Sequence, residues 1–436
     1  MSTVDIVLII TSLTLASLAA YSAVIMLYAW EDEGKRGRNM VPSTFEPPHL
    51  SFTVLLPARH EEAVIQDTIQ HVADLNYPRA LVEGLVVIEA GDTGTIAKVH
   101  EKLDELERQG ITNIRLITFD EPPINKPHGL NLGLRVSSGD MVTIFDAEDE
   151  PHPDVLNVVN TVAMREGAPV VQCGVQLMNY DDHWFSALNV LEYFFWFKSR
   201  LHYHASMGMV PLGGNTVFVR RVFLEEIDGW DQQCLTEDAD LGVRLSAANV
   251  PIRVVYDDHY VTREETPHSV DQFVKQRTRW NQGFLQVLMK GDWLHLPGTS
   301  RRLLALYTLS FPLFQALMLL YIPFSVWSMI SLKVHEVAAL ISTLPLYMLA
   351  AQFGINLIGL YEFTGVHGLR ASRWSPLKLL IAYLPFQWML GYAALRAAWR
   401  HLRGMNSWEK TTHLGAHRTS PIPASLDAMR EEVRRG

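Results

Sequence analysis

Cysteine is nearly missing from this 436-residue chain: Cys173 and Cys234 are the two it has, without CxxC or zinc-type spacing. Neither a disulfide framework nor a structural zinc is suggested, and both thiols are expected as small buried residues. Basic excess is missing too. The chain carries 37 Lys and Arg against 47 Asp and Glu, a net charge of −10, so no nucleic acid is expected as a partner. Phosphate must then be met by a few local cations. No internal repeat or low-complexity tract is evident, and no Lys or Arg precedes the first apolar run, which is led by Asp5. A cleaved signal peptide therefore fits poorly.

What the chain has is apolar length: 48% of its residues are hydrophobic, enough for a core and several membrane spans. Residues 6–30 form an uncharged run of 25, about 37 Å as a helix against a hydrocarbon thickness of about 30 Å. It can span. Lys35, Arg36 and Arg38 follow at once and place the next segment in the cytoplasm. Two further runs can cross, 303–332 with Pro312 and Pro323, and 337–361. A shorter run at 379–395 has Arg370, Arg373 and Lys378 on one flank and Arg396, Arg400 and Arg403 on the other. Positive charge on both sides conflicts with a simple crossing. This segment is read as re-entrant or interfacial, or as a span that tolerates an outward basic cluster. The expected placement is a multi-pass integral protein of the plasma membrane.

Between the spans, compact apolar strands alternate with helices. SFTVLLPA (51–58), GLVVIEA (84–90), NIRLITF (113–119) and DMVTIFD (140–146) read as strands, with helical spacing at 61–76, 95–109 and 129–137 between them. The fold class is therefore α/β: a mostly parallel sheet with helices on both faces, flanked by transmembrane and interfacial helices. Ligands in such folds bind beyond the carboxyl ends of the strands, where PARHEE, IEAGD and FDAED lie. The expected division is an N-terminal transmembrane helix and linker (1–49), a cytoplasmic domain (50–268), an interfacial region (269–300), C-terminal transmembrane and interfacial helices (301–414) and a polar tail (415–436).

Three motifs carry chemistry. In FDAEDEP, Asp146 ends a strand and Glu148 stands one side-chain alternation away, so two carboxylates can reach one hard cation beside diphosphate oxygens. A solvated acidic turn would look the same in isolation. In LTEDADL, Asp238 and Asp240 open a helix; Thr236 and Glu237 there suit capping and the helix dipole, yet an ionised Asp238 beside a hydroxyl can act as a general base. QRTRW sits in 269–289, where Phe273, Trp280, Phe284 and Val287 recur on one helical face. That face suits a membrane surface, while Trp280 can meet a sugar ring and Arg277 or Arg279 a diphosphate.

Taken in order, PARHEE, NKPHGLN, FDAED, GGN, TED and QRTRW resemble the membrane-integrated family 2 glycosyltransferases of GT-A fold. That group includes cellulose, chitin and hyaluronan synthases, and the likeness is to a bacterial exopolysaccharide-type subgroup. It covers about residues 50–290, together with the flanking helices and WEKTTH at 408–413. By this resemblance Pro57, Ala58, Arg59 and Glu61 form the uridine loop, and Lys126 lies near the nucleotide diphosphate. Asp146 and Glu148 match the metal-binding DxD, and Asp238, beside Glu237, matches the catalytic base. Gly214 and Asn215 form a donor or acceptor loop, and Gln276, Arg279 and Trp280 face the acceptor and diphosphate. Two positions depart from the pattern: IEAGD leaves Glu89 or Asp92 to meet the nucleoside, and Glu148 replaces an aspartate, so the metal is held differently or mainly through Asp149.

The resemblance implies an inverting, membrane-bound enzyme that uses Mg2+ or Mn2+ and transfers a sugar from a UDP-linked donor to a growing polysaccharide. The alternatives are a single transfer to a lipid acceptor and a non-catalytic membrane scaffold. Asp238, Arg279 and Trp280 speak against the scaffold. The expected partners are the nucleotide sugar, a glycan or lipid acceptor, membrane lipids, and a homo-oligomer or export partner. The last is included because two or three C-terminal segments are few for a monomeric pore. The sugar and its linkage depend on pocket shape and are not legible in the sequence.

Overall fold

The computed structural model describes residues 1–30, 40–407, 409, 415 and 418. Lys35, Arg36, Arg38, most of WEKTTH and most of the polar tail lie outside the described residues.

Nine strands are described: β1 (Phe52–Ala58), β2 (Val82–Glu89), β3 (Ile114–Phe119), β4 (Met141–Ile144), β5 (Val170–Cys173), β6 (Val175–Leu177), β7 (Val217–Arg220), β8 (Ile252–Val255) and β9 (Thr262–Glu264). Seven of them form one sheet in the order β3-β2-β1-β4-β7-β5-β8, and β6 pairs with β9 in a second, two-stranded sheet. Neighbours in the large sheet are parallel except at β7, which runs antiparallel to both β4 and β5. The sheet expected from the sequence is thus mostly parallel with one reversed strand. β1 lies between β2 and β4, with Ala58 opposite Ile88 and Leu55 opposite Ile144. Three strands therefore run out at the same edge, and the residues that follow them meet there.

Both faces are covered because these strands are apolar on both sides. Helices Ile65–Ala73, Thr93–Arg108 and Val155–Glu166 pack on one face. Helices Lys126–Arg135, Leu201–Met207 and Glu237–Ala247 pack on the other. Phe52, Phe145 and Phe218 are fully buried and meet edge to face, each contributing roughly 1.5–3 kcal/mol by burial. Helix starts follow local capping. Asn125 accepts the His128 N–H at 3.0 Å and Pro127 stands in the first turn, so that helix begins at Lys126 rather than at 129. Cys173 and Cys234 are both buried free thiols.

The long apolar runs are helices, with breaks at prolines. The run 303–332 is two helices, Thr299–Leu309 and Phe311–Ser331, because Pro312 opens the second and disfavours helix before it. The run 337–361 is likewise Glu336–Ser342 followed by Leu344–Val366, with Pro345 in the new first turn. Thr3–Trp30, Phe311–Ser331 and Glu336–Val366 are long and apolar enough to cross a membrane. The segment around 379–395 belongs to one continuous helix, Ser375–Leu402. Its buried side packs on the helices Val270–Lys290 and Phe311–Ser331, and its outer side exposes Leu380, Leu384, Trp388 and Trp399.

Candidate active site

The residues after β1, β2 and β4 converge at the sheet edge. Arg59 Nε lies 3.4 Å from Glu89 Oε2, so the PARHEE loop and the end of β2 are tied by a half-exposed ion pair. Asp92 differs from Glu89. It is 3% exposed, caps the helix Thr93–Arg108 through the Thr95 N–H at 3.3 Å, and accepts the His60 N–H at 2.6 Å. Glu61 is buried, with its N–H on Thr95 Oγ1 at 3.0 Å. Pro57 and Ala58 are partly open in the last two positions of β1. Asp92 and Glu61 thus shape this loop from within, and Arg59 and Glu89 present charge outward.

Lys126 is the hub. Its ammonium stands 2.5 Å from Asp146 Oδ1 and 3.6 Å from Glu237 Oε1, so it links the acidic loop after β4 to the TED helix start. Burial opposes its charge, but Asp146 first and Glu237 next outweigh that and hold its pKa above the ordinary lysine value. Asp238 is half-buried at the same helix start, and burial, then Glu237, push its carboxyl up to about 6. Asp240 points elsewhere. Fully buried, it pairs with Arg244 at 2.7 Å and Lys290 at 2.8 Å, which is a structural role.

Around Asp146 the acidic groups crowd one another. Glu148 is pushed up to about 8 by burial and then by Asp146. Glu264, at the end of β9, is raised to about 8 by burial and then by Glu148 and Asp146. Asp149 is fully buried, and its carboxylate faces inward: Oδ1 and Oδ2 accept from Asn215 Nδ2 at 2.7 and 2.8 Å, and Oδ2 also accepts the Asp146 N–H at 2.8 Å. Asn215 also donates to Glu264. Asp149 is therefore a brace for the loop and does not offer its oxygens as the expected main metal ligand. Asn215, 3% exposed, serves the same brace. Gly214, in the left-handed region at φ 65°, runs beside Asp238, where an added Cβ would stand 3.5 Å from Oδ2.

A divalent cation fits this chemistry, because the crowding that favours the protonated forms of Glu148 and Glu264 beside Asp146 would be relieved by a positive ion among their oxygens. A second set, His60, Glu62 and Asp92, brings one donor atom each within 4.8 Å, although its Asp92 oxygens are already engaged as described.

The QRTRW helix, Val270–Lys290, closes the site. Leu235 N–H donates to Gln286 Oε1 at 2.9 Å, which seats the helix on the loop leading into TED. Arg277 is committed to Asn189 at 2.5 Å and Glu192 at 2.6 Å and lies 4.5 Å over the Trp280 ring. Its guanidinium is thus already engaged by protein groups. Gln276, Arg279 and Trp280 are half-buried on this helix. Tyr193 meets Trp280 at 6.1 Å between centroids, and its electrostatic neighbours are Glu264, Arg277 and Glu148. Tyr193 and Glu264 were not singled out in the sequence. Neither carried a local signal: Glu264 reaches the site through the pairing of β9 with β6.

A mainly parallel α/β sheet thus gathers carboxylates and a lysine at its strand ends, the arrangement of a nucleotide-site α/β enzyme. The family profile described as "Glycosyltransferase like family 2" matches residues 47–283, more than half of the chain, and the chain belongs to that family. A solved structure, the mannosyltransferase PcManGT from Pyrobaculum calidifontis in complex with GDP-Man and Mn2+, has the same fold. It aligns with a TM-score of 0.52 at 18% identity, over 91% of this chain and 99% of that one. Among curated proteins, the probable glycosyltransferase YdaM of Bacillus subtilis is 27% identical over 55% of this chain and 56% of its own. The beta-monoglucosyldiacylglycerol synthase of Trichormus variabilis is 26% identical over 54% and 49%. That of Synechocystis is 26% identical over 65% and 63%. The chain thus spans about half to under two thirds of the length of these relatives.

Proposed function

We propose that this protein is a membrane-bound, inverting glycosyltransferase that moves one sugar from a nucleotide donor, UDP-linked, to a lipid acceptor. The observation that carries the reading is the single ammonium of Lys126 between Asp146 and Glu237, which puts the donor-side loop and the base-bearing helix in one site. The lipid acceptor is supported by relatives named as glucosyldiacylglycerol synthases. It is supported also by three helices long and apolar enough to cross a membrane. These observations favour it over the polysaccharide product expected from the synthase resemblance. The catalytic side faces the cytoplasm in this reading, as the Lys35, Arg36 and Arg38 cluster implies.

In the mechanism, an acceptor hydroxyl beside Asp238 loses its proton to that carboxylate as its oxygen attacks the anomeric carbon, and the bond to the nucleoside diphosphate breaks on the opposite side. Lys126 stands where the departing diphosphate charge grows. Asp146 and Glu148, with Glu264 behind them, would hold Mg2+ or Mn2+, whose chemistry is to neutralise that diphosphate. Arg59 and Glu89 meet the nucleoside, and Trp280 with Arg279 meets the acceptor.

The test is direct. Purified protein in lipid nanodiscs containing diacylglycerol is offered UDP- and GDP-sugars, and released nucleotide and products are measured. A glycolipid carrying one sugar is the expected product. A ladder of chain lengths would assign the polymerase instead, and no release with any donor would leave a scaffold.

A further inference from the structure

Past the helix Ser375–Leu402, three described residues, Glu409, Gly415 and Arg418, contact other parts of the molecule. Glu409 pairs with Arg396 at 2.5 Å and with Arg400 at 3.3 Å. Arg400 Nε in turn donates to Gln282 Oε1 at 3.1 Å, and Gln282 Nε2 donates to Met405 O at 2.7 Å. Gln282 lies on the QRTRW helix and is fully buried. Farther on, the Gly415 N–H donates to Glu265 Oε1 at 3.2 Å, and Gly415 is itself buried. Arg418 then reaches beneath FDAEDEP. Its Nη2 donates to Thr68 Oγ1 at 2.8 Å and lies 3.5 Å from Ala147 O and 3.4 Å from Asp149 O. Its Nη1 donates to Val64 O at 3.1 Å and to Asp67 Oδ2 at 3.2 Å. Thr68 Oγ1 also donates to Ala147 O.

We propose that Arg418 is a positioning residue for the cation-binding loop. Ala147 and Asp149 flank Glu148, so one guanidinium fork fixes the backbone on both sides of that ligand. The fork is 12% exposed, and its Asp67 partner is 65% exposed, so the donors aimed at the loop carbonyls are the shielded ones. Groups that hold a ligand's own scaffold typically change metal affinity 10–100-fold when removed. A lysine presents one compact charge in place of a planar fork and cannot hold two carbonyls and a hydroxyl in the same way.

This inference rests on the proposed glycosyltransferase reading, and the experiment separates the two. Mn2+ is titrated into the full-length protein with UDP present, bound metal is read by electron paramagnetic resonance, and melting is recorded alongside. Wild-type protein that binds no Mn2+ with UDP would overturn the functional reading. Given wild-type binding, Arg418→Ala should weaken Mn2+ about 10–100-fold, with Arg418→Lys intermediate. Asp67→Ala, which removes the outer partner alone, should bind as wild type does. Should Arg418→Ala fail to fold, Arg418→Lys decides. Wild-type Mn2+ affinity in the foldable Arg418 variants, or a loss as large in Asp67→Ala, would sink the proposal.

Discussion

Gly283 of the QRTRW helix lies directly against the side chain of Thr236, the first residue of TED; a Cβ at Gly283 would come within 2.8 Å of the Thr236 Cβ. The two motifs therefore meet at a glycine, and nothing larger fits without displacing one of them. Gly283→Ala should destabilise the fold by about 1–3 kcal/mol and lower turnover by moving Asp238 relative to Trp280. Thermal melting and nucleotide release on the same preparation check this, and an unchanged melt with full turnover would remove the contact from the account.

Asp238 supplies the pH prediction. A carboxyl held up to about 6 is neutral below that pH and ionised above it. A general base works only when ionised, so turnover should rise through about pH 6 and then level. Asp238→Asn should cost at least about 10²–10⁴-fold in kcat while leaving UDP binding nearly intact. A rate that is flat from pH 5 to 8, or retained turnover in the Asn variant, would refute the base assignment.

Lys126 offsets three carboxylates, Asp146, Glu237 and Asp238. Lys126→Met should raise the Asp238 pKa further and move the acid limb of the rate profile to higher pH. It should also weaken the donor, at about 1.5–3 kcal/mol for a charge-assisted contact, or roughly 10–100-fold in kcat/KM. Kinetics across pH separate the two effects. An unshifted acid limb would mean that Lys126 does not hold the Asp238 charge.

Much of the site's frame was legible because β1, β2 and β4 are apolar runs closed by charged residues, and parallel pairing then puts Arg59, Glu89 and Asp146 at one edge. The QRTRW face was legible in part. Phe273 and Trp280 share one helical side as their spacing indicates, while the stacking of Arg277 on both rings, with Arg277 or Arg279 left open in the sequence, came from the structure. The reversed β7 was not legible, since four-residue strands carry no signal of direction. Glu264 depends on β9 pairing with β6, a long-range contact that no local pattern encodes. The helix breaks at Pro312 and Pro345 were missed because composition was read for length and the prolines were not used as stops.

Asn215 offers the sharpest test of how the acidic loop is braced. Its amide is the donor shared by the fully buried Asp149 and the half-buried Glu264, two carboxyls whose protonated forms burial and crowding favour. Asn215→Ala leaves them facing each other and should cost about 1–3 kcal/mol in stability. Asn215→Asp puts a third carboxyl in the same space and should be worse than alanine, although it is closer in shape. If steric fit governed the position, the order would reverse, with aspartate milder than alanine. Melting temperatures of the two variants at neutral pH, with kcat measured at the same pH, decide between repulsion and fit.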